Sequence, residues 1–129
     1  MNFLDTSVLV AAVLAKHPAH SACAPLLAAN DSVTDAHCLA ESYAVLTAAY
    51  KLRPADAAAL LLDHPSAIAR PVLLEDYRAC LEKPEHIQGG GIYDAIHAAV
   101  ARRLKVEVLY TGNVTNFEHH APNLDVRRP

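Results

Sequence analysis

The stretch Asn2-Phe-Leu-Asp-Thr-Ser-Val-Leu-Val10 decides the fold of this chain. A short apolar run leads to Asp5, which is the only charged side chain in the first 15 residues. The hydroxyl residues Thr6 and Ser7 follow and suit a helix N-cap, and the sequence is apolar again from Val8. It predicts a buried strand ending near Asp5, a tight turn, and a helix beginning around Ser7 or Val8. Open α/β sheets bind their ligands at such a strand end.

The composition fits a single domain over residues 1–129, long enough to bury about two-thirds of the surface that the unfolded chain exposes. The formal net charge is −3 and the isoelectric point is near 6.2, so there is no overall basic field. Tight nucleic-acid binding through bulk charge is therefore not indicated, although a small, specific RNA substrate is compatible with this charge.

Cysteine usage and hydropathy give expectations about the compartment. The three cysteines are an odd number without a C-x-x-C pair, which favours buried reduced thiols over a disulfide framework. No uncharged apolar run approaches the length of about 20 residues that spans a bilayer, and the N-terminal run lacks the basic region of a signal peptide. We therefore expect a soluble, cytoplasmic protein. The cysteines are Cys23, Cys38 and Cys80.

Short strand patterns alternate with helical patterns along the rest of the chain. This alternation indicates a parallel sheet with helices on both faces. Further strands are predicted at Ser32–Thr34, Arg70–Leu74, Val106–Thr111 and Leu124–Arg127. Helices are predicted at Ala19–Ala29, Ala36–Tyr50, Ala55–Asp63, Glu75–Lys83 and Ile92–Leu104, with a helical turn between Gly112 and His120.

Three carboxylates stand alone in apolar surroundings. Besides Asp5, Glu41 is the only Asp, Glu, Lys or Arg in residues 36–50, and Asp94 is the only one in residues 86–101. A buried carboxylate without a partner is costly, and no equally isolated basic residue is present to pair these three. They therefore predict a shared Mg²⁺ or Mn²⁺ ion, for which carboxylate oxygens are suitable ligands. The alternative is that each one caps a helix or faces solvent.

The segment Thr111-Gly-Asn113 offers a fourth ligand. It follows the clearest strand pattern and meets the sheet edge near Asp5 if both strands run parallel in the centre of the sheet. The Asn113 amide supplies an uncharged oxygen, and the Thr111 hydroxyl can orient a ligand or a water. An equally open alternative is a loop turn in which Asn113 adopts left-handed backbone geometry.

These motifs resemble those of PIN domains. Leu4–Leu9 resembles their opening motif, Glu41 falls where they carry a second acid, Ile92–Ala99 resembles the third acidic motif, and Tyr110–Phe117 resembles the fourth. The resemblance covers nearly the whole chain. It implies a three-layer α/β/α sandwich with a parallel five-stranded sheet in the order 3-2-1-4-5, and a carboxylate cluster that binds Mg²⁺ or Mn²⁺.

Small single-domain PIN proteins resemble VapC-type toxins, ribonucleases that an antitoxin holds inactive by covering the site. The resemblance implies metal-assisted hydrolysis of RNA, with Asp5, Glu41 and Asp94 holding the metal directly or through water. Any of these acids could accept the proton of the attacking water, and Thr6 or Ser7 could hydrogen-bond Asp5 or a metal-bound water. A cognate antitoxin and a homodimer are the expected partners.

Two other functions stay open at this point. An aspartyl-phosphate phosphatase would use Asp5 as its nucleophile, but that chemistry usually places a second aspartate where this chain has Ser7. A non-catalytic PIN-fold binding module would have a weakened metal site, because Asn113 stands where many PIN domains carry aspartate.

Several other patterns are given no catalytic role. The eight histidines include His119-His120, but the pair lacks partner ligands at zinc-site spacing. We expect His97 to be packed or at the solvent edge. Gly89–Gly91 lacks the Lys-Ser/Thr of a phosphate loop and is predicted to be a flexible turn. The basic residues near the end of the helix that contains Asp94 are expected to face solvent.

Overall fold

The centre of the molecule is a sheet of five short parallel strands. A computed structural model of the chain describes residues 1–129. The strands are β1 (Asn2–Leu4), β2 (Ser32–Asp35), β3 (Ala69–Arg70), β4 (Val108–Tyr110) and β5 (Asp125–Arg127). Their order across the sheet is β3-β2-β1-β4-β5, and every neighbouring pair is parallel. The fold and strand order that the PIN resemblance implied are confirmed.

Eight helices connect the strands. They are α1 (Thr6–Val13), α2 (His20–Ala28), α3 (Ala36–Ala48), α4 (Pro54–Leu62), α5 (His64–Ala67), α6 (Leu74–Glu82), α7 (Gly91–Arg103) and α8 (Val114–His120). The helices from α1 to α5 contact one another, and α7 contacts both α6 and α8. Right-handed crossovers between parallel strands place these two groups on opposite faces of the sheet.

The main core lies between the sheet and the helices that cover it. It contains 19 buried residues, and the N-terminal stretch supplies several of them. Phe3 and Leu4 are fully buried because β1 has a strand on each side and helices over both faces, and Leu9 of α1 is fully buried in the same core. Leu109 of β4 and Phe117 of α8 complete the same core beside them. The carboxyl ends of β1 and β4 are therefore fixed next to each other.

Two boundaries differ from their predictions for identifiable reasons. Helix α1 begins at Thr6, because Asp5 itself is the N-cap and accepts a hydrogen bond from the Val8 amide. Strand β3 ends at Arg70, because Pro71 has no N–H to donate to a sheet. The residues predicted to extend β3 instead lead into α6, where the side chain of Asp76 accepts from the Leu73 amide.

All three cysteines are buried and free, as the sequence predicted. None of the helices combines the length and the hydrophobicity that crossing a bilayer would take.

Candidate active site

Asp5 is held rigidly at the end of β1. Its Oδ1 accepts hydrogen bonds from the Ser7 hydroxyl at 2.6 Å and the Val8 amide at 3.1 Å. Its Oδ2 accepts from the Thr111 hydroxyl at 2.6 Å, across from the end of β4. Burial raises the pKa of Asp5, and these three hydrogen bonds oppose the rise. Asp5 is thus a desolvated carboxylate that neutral donors orient and no cation contacts.

Asp94 is a partly desolvated acid without a partner. It lies in the first turn of α7, is half-buried, and accepts no hydrogen bond. Burial raises its pKa, His97 lowers it, and the like charges of Asp5 and Glu41 raise it further. A carboxylate that is desolvated, unpaired and near other acids is the kind of group that a bound cation stabilises strongly.

A cavity of about 540 Å³ opens over these two acids. Asp5, Thr6, Asp94 and Asn113 contribute to its wall, and apolar residues of α1 and α2 line much of the remainder. The structure therefore brings together three of the four predicted metal ligands. Glu41 does not line this cavity, and the carboxylate oxygens of Asp5, Glu41 and Asp94 do not all lie within 4.8 Å of one another.

The polar atoms in this wall fit a hard divalent cation. The Thr6 hydroxyl oxygen is buried and has no hydrogen-bond partner. The side chain of Asn113 makes no capping hydrogen bond to α8, so its amide oxygen is available. The Asn113 φ angle of −121° rules out the left-handed turn that the sequence left open. Oxygen donors with unused capacity, next to an unpaired carboxylate, match the preferences of Mg²⁺ and Mn²⁺.

Glu41 pairs with a buried histidine. His97 is 1% exposed, and its Nε2 contacts Oε1 of Glu41 at 2.5 Å. Its Nδ1 contacts Oδ2 of Asp35, a fully buried acid at the end of β2, at 2.6 Å. The contacts of Glu41 all use Oε1, which leaves Oε2 free. A metal-binding role for Glu41 thus stays a prediction, with one oxygen available for it.

Sequence and structure comparisons identify the family. The sequence profile of the PIN domain matches residues 3–121. The chain belongs to the PIN domain family. Ribonuclease VapC27 of Mycobacterium tuberculosis is 34% identical to this PIN domain over an alignment of 113 residues, and the match covers 81% of this chain and 80% of that protein.

A solved structure with a similar fold comes from the same bacterium. The crystal structure of Mycobacterium tuberculosis VapC20, a toxin that cleaves the sarcin-ricin loop, matches this PIN domain with a TM-score of 0.74. The match covers 100% of both chains at 23% sequence identity. It supports the fold assigned from the strand order.

His97 corrects one inference from the sequence of this PIN domain. Burial alone would lower the pKa of His97, but the neighbouring Cys38, Asp35 and Glu41 outweigh burial and raise the pKa well above its usual value. Burial alone would likewise raise the pKa of Asp35, and the hydrogen bond and charge of His97 lower it. His97 is therefore an imidazolium between two carboxylates. The inference that no basic residue pairs the isolated acids is wrong for Glu41.

The expectation that His97 is packed is confirmed, but its role was missed. The sequence held one signal, since His97 follows Asp94 by one helical turn on a helix segment that is otherwise apolar. Its partners Asp35 and Glu41 lie 62 and 56 positions away, so local spacing does not reveal the pairing.

The basic residues at the end of α7 have structural partners. Arg103 donates two hydrogen bonds to the buried carboxylate of Asp76 at 2.9 Å and one to the Pro71 carbonyl. Arg102 donates to the carbonyl of His120 at 2.6 Å. Both arginines therefore attach α7 to its neighbours, beyond the solvent-facing role expected from the sequence.

Proposed function

We propose that this PIN domain is a ribonuclease that uses Mg²⁺ or Mn²⁺ to hydrolyse RNA phosphodiester bonds, as the toxin of a type II toxin–antitoxin pair. The observation that carries the proposal is the desolvated, unpaired Asp94 facing the same cavity as Asp5. The name of the similar protein VapC27, a ribonuclease, supports RNA as the substrate class.

The proposed metal ligands are oxygens that the structure leaves available. Asp94 and Asp5 supply negative charge, and Asn113, which lines the same cavity, supplies an amide oxygen. Glu41 reaches the metal through Oε2, directly or through water, while His97 holds Oε1. A divalent cation bound there would lower the pKa of a coordinated water and offset the negative charge that builds on the phosphate.

The protein's own side chains divide the remaining work. Ser7 and Thr111 fix the direction of the Asp5 carboxylate, so Asp5 needs no rearrangement when substrate binds. A proton acceptor for the attacking water needs a carboxylate oxygen with a free lone pair. Asp94 and Oε2 of Glu41 accept no hydrogen bond, whereas Oδ1 of Asp5 already accepts two and Oδ2 of Asp5 accepts one, which leaves a lone pair for the metal.

The same contacts favour hydrolysis by metal over the phosphatase alternative. A nucleophilic Asp5 would attack with an oxygen that accepts from Ser7 and Val8 or from Thr111. The position two residues after Asp5 carries Ser7, whose hydroxyl donates to Asp5 and so serves its orientation.

The proposed partners are a cognate antitoxin and a second copy of the chain. Leu74 and Leu81 of α6 are 67% and 65% exposed. They form an apolar face that a partner protein could cover. The three free cysteines agree with a reducing compartment, and we propose the cytoplasm, where RNA substrate is present.

The test is RNA cleavage by purified protein in Mg²⁺ or Mn²⁺, with and without excess chelator. Asp5→Asn should keep the N-cap and the fold, but reduce cleavage at least a hundredfold, because one anionic ligand becomes neutral. Asp63→Asn is the matched control, since Asp63 is exposed and lies outside the cavity. Cleavage that resists chelator, or an Asp5→Asn protein with the wild-type rate, would refute the proposal.

The toxin assignment has its own test in cells. Induced expression of the wild-type chain without a partner should arrest growth, and Asp5→Asn should relieve the arrest at equal protein level. Unimpaired growth with soluble, catalytically active protein present would contradict a toxin role and leave the ribonuclease activity standing.

A further inference from the structure

A second cavity adjoins the acidic site and has a different character. Its volume is about 610 Å³, none of its eight lining residues is hydrophobic, and Asp94 is the only residue that it shares with the first cavity. A volume of this order accommodates a nucleotide-sized group. Apart from Asp94, its polar side chains are three imidazoles and two amides: His86, His119, His120, Gln88 and Asn116. We refer to it as the histidine cavity.

Two sequence motifs without a role so far meet in the histidine cavity. The glycine cluster forms one wall at the start of α7, and the histidine pair at the end of α8 forms another. A Cβ atom on Gly91 would lie 3.6 Å from Nε2 of His120, so glycine leaves room for the ring there. A Cβ atom on Gly90 would meet nothing within 4 Å, so this wall opens onto the cavity.

The histidine cavity offers hydrogen-bonding side chains and little negative charge. Burial lowers the pKa of His120, and the nearby His119, Arg102 and His86 lower it further, which favours the neutral imidazole of His120. A neutral imidazole and a side-chain amide each present both a donor and an acceptor. The sole carboxylate in the lining is Asp94, at the border with the first cavity.

A ribose is the part of an RNA strand that matches this lining. Its 2′-hydroxyl both donates and accepts a hydrogen bond, and this group distinguishes RNA from DNA. A phosphate held by metal at Asp94 would have the sugar of an adjoining nucleotide within the histidine cavity, because the two cavities meet at that residue. We propose that the histidine cavity binds a ribose next to the phosphate under attack and selects RNA over DNA. This inference rests on the proposed ribonuclease function.

A transition-metal site is the competing use of three histidines and an acid. Such a site needs ligand atoms that converge on one point. The single cluster of His, Cys, Asp or Glu side chains whose ligand atoms lie within 4.8 Å of one another is Asp35, Cys38 and His97. The imidazoles of the histidine cavity do not converge in this way, and their spread favours an extended polar ligand such as a sugar.

The experiment compares RNA and DNA binding in a cleavage-deficient background. Fluorescence anisotropy with the Asp5→Asn protein in Mg²⁺ gives Kd for a labelled RNA hairpin and for a DNA hairpin of the same sequence. Adding His119→Ala should weaken RNA binding about fivefold, as expected for one lost hydrogen bond, and leave DNA binding unchanged. His119 is exposed, so the substitution does not disturb the core. His64→Ala, an exposed histidine on α5, is the matched control.

Three results would overturn the assignment. Equal weakening for RNA and DNA would mean that His119 contacts phosphate or base. Unchanged affinity for both would mean that the cavity does not bind substrate. A Zn²⁺ titration showing a site that depends on His119, with RNA affinity unaffected, would assign the cavity to a metal. Chelator-sensitive cleavage by the wild-type protein tests the nuclease separately, so failure of one proposal does not imply failure of the other.

Discussion

At the scale of single residues, the charge of His97 determines how Asp35 contributes to stability. Asp35 is fully buried, and its hydrogen bond with His97 lowers its pKa relative to the unfolded chain. A lowered folded pKa gives a stabilising contribution that is present above the unfolded value of about 3.9 and is lost as the pH falls through the folded pKa. The ionised form of Asp35 therefore stabilises the fold at neutral pH and ceases to do so in acid.

Removing the Asp35 carboxylate should make the free energy of unfolding depend less on pH in the acid range. We expect Asp35→Asn to be less stable than wild type by roughly 3–5 kcal/mol at pH 7, because it leaves a buried cation with one acid fewer. The difference should shrink below about pH 4. Urea unfolding across the acid range measures it, with Asp63→Asn as the control that retains the wild-type slope. A constant difference at every pH would mean that Asp35 acts through packing alone.

Asn113 determines how much negative charge the metal site carries. Two divalent cations held close together repel each other, and flanking carboxylates offset the repulsion. We expect one well-bound metal in wild type and a weak second site at most. Asn113→Asp should then tighten metal binding and raise the number of ions bound in a calorimetric titration. Two tight sites in wild type, or no gain in the variant, would place Asn113 outside the ligand shell.

At the scale of elements, Ser7 connects the first strand–helix turn to the last one. Its hydroxyl donates to Asp5, and it also accepts from the Gly112 amide at 2.9 Å. A Cβ atom on Gly112 would lie 3.3 Å from the Ser7 oxygen, so the two turns are in close contact. The start of α1 and the loop before α8 are thereby held in one arrangement.

Loss of that connection should affect catalysis more than stability. We expect Ser7→Ala to lower kcat at least tenfold, the scale seen when a residue orienting a metal ligand is lost, with KM little changed. The melting temperature should fall only slightly, because Gly112 is exposed and water can satisfy its amide. Ser21→Ala, an exposed serine on α2, is the control. A wild-type kcat in Ser7→Ala would show that Val8 and Thr111 suffice to orient Asp5.

The elements show which parts of this fold are readable from sequence. Period and turn residues located four of the five strands and the major helices, and only Arg70 of the stretch predicted as the third strand lies in β3. Family resemblance supplied the strand order. Asp5 and Asp94 were identified because each is the only charged residue in an apolar stretch of sequence, and both line the same cavity. The link from His97 to Asp35 and Glu41, and the meeting of the glycine cluster with His120, were not predictable because each joins segments far apart in sequence.

At the scale of the whole molecule, the exposed face of α6 is the feature that a second copy would cover. Leu74, Tyr77 and Leu81 repeat at helical spacing and are 67%, 39% and 65% exposed. Exposed apolar side chains that align on one helix face mark an interaction surface. We expect this face to contribute to the proposed homodimer.

A charge on this face should separate the subunits. Wild-type protein should behave as a dimer in light scattering at micromolar concentration, and Leu81→Glu should shift it towards monomer. Leu62→Glu is the matched control, because Leu62 is 74% exposed at the end of a different helix, α4. A wild-type protein that stays monomeric throughout this range would contradict the homodimer. A Leu81→Glu protein that stays dimeric would place the contact on another face.

The hydrogen bond from Thr111 to Asp5 also bears on the timing of synthesis. Its two residues are 106 positions apart, and at about 5–20 residues per second a ribosome needs roughly 5 to 20 seconds to pass from one to the other. During that interval the nascent chain carries Asp5 without Thr111 or Asn113 beside it. The candidate site thus joins two segments that are made several seconds apart, and Asp5 gains its Thr111 donor only after the ribosome has passed that residue.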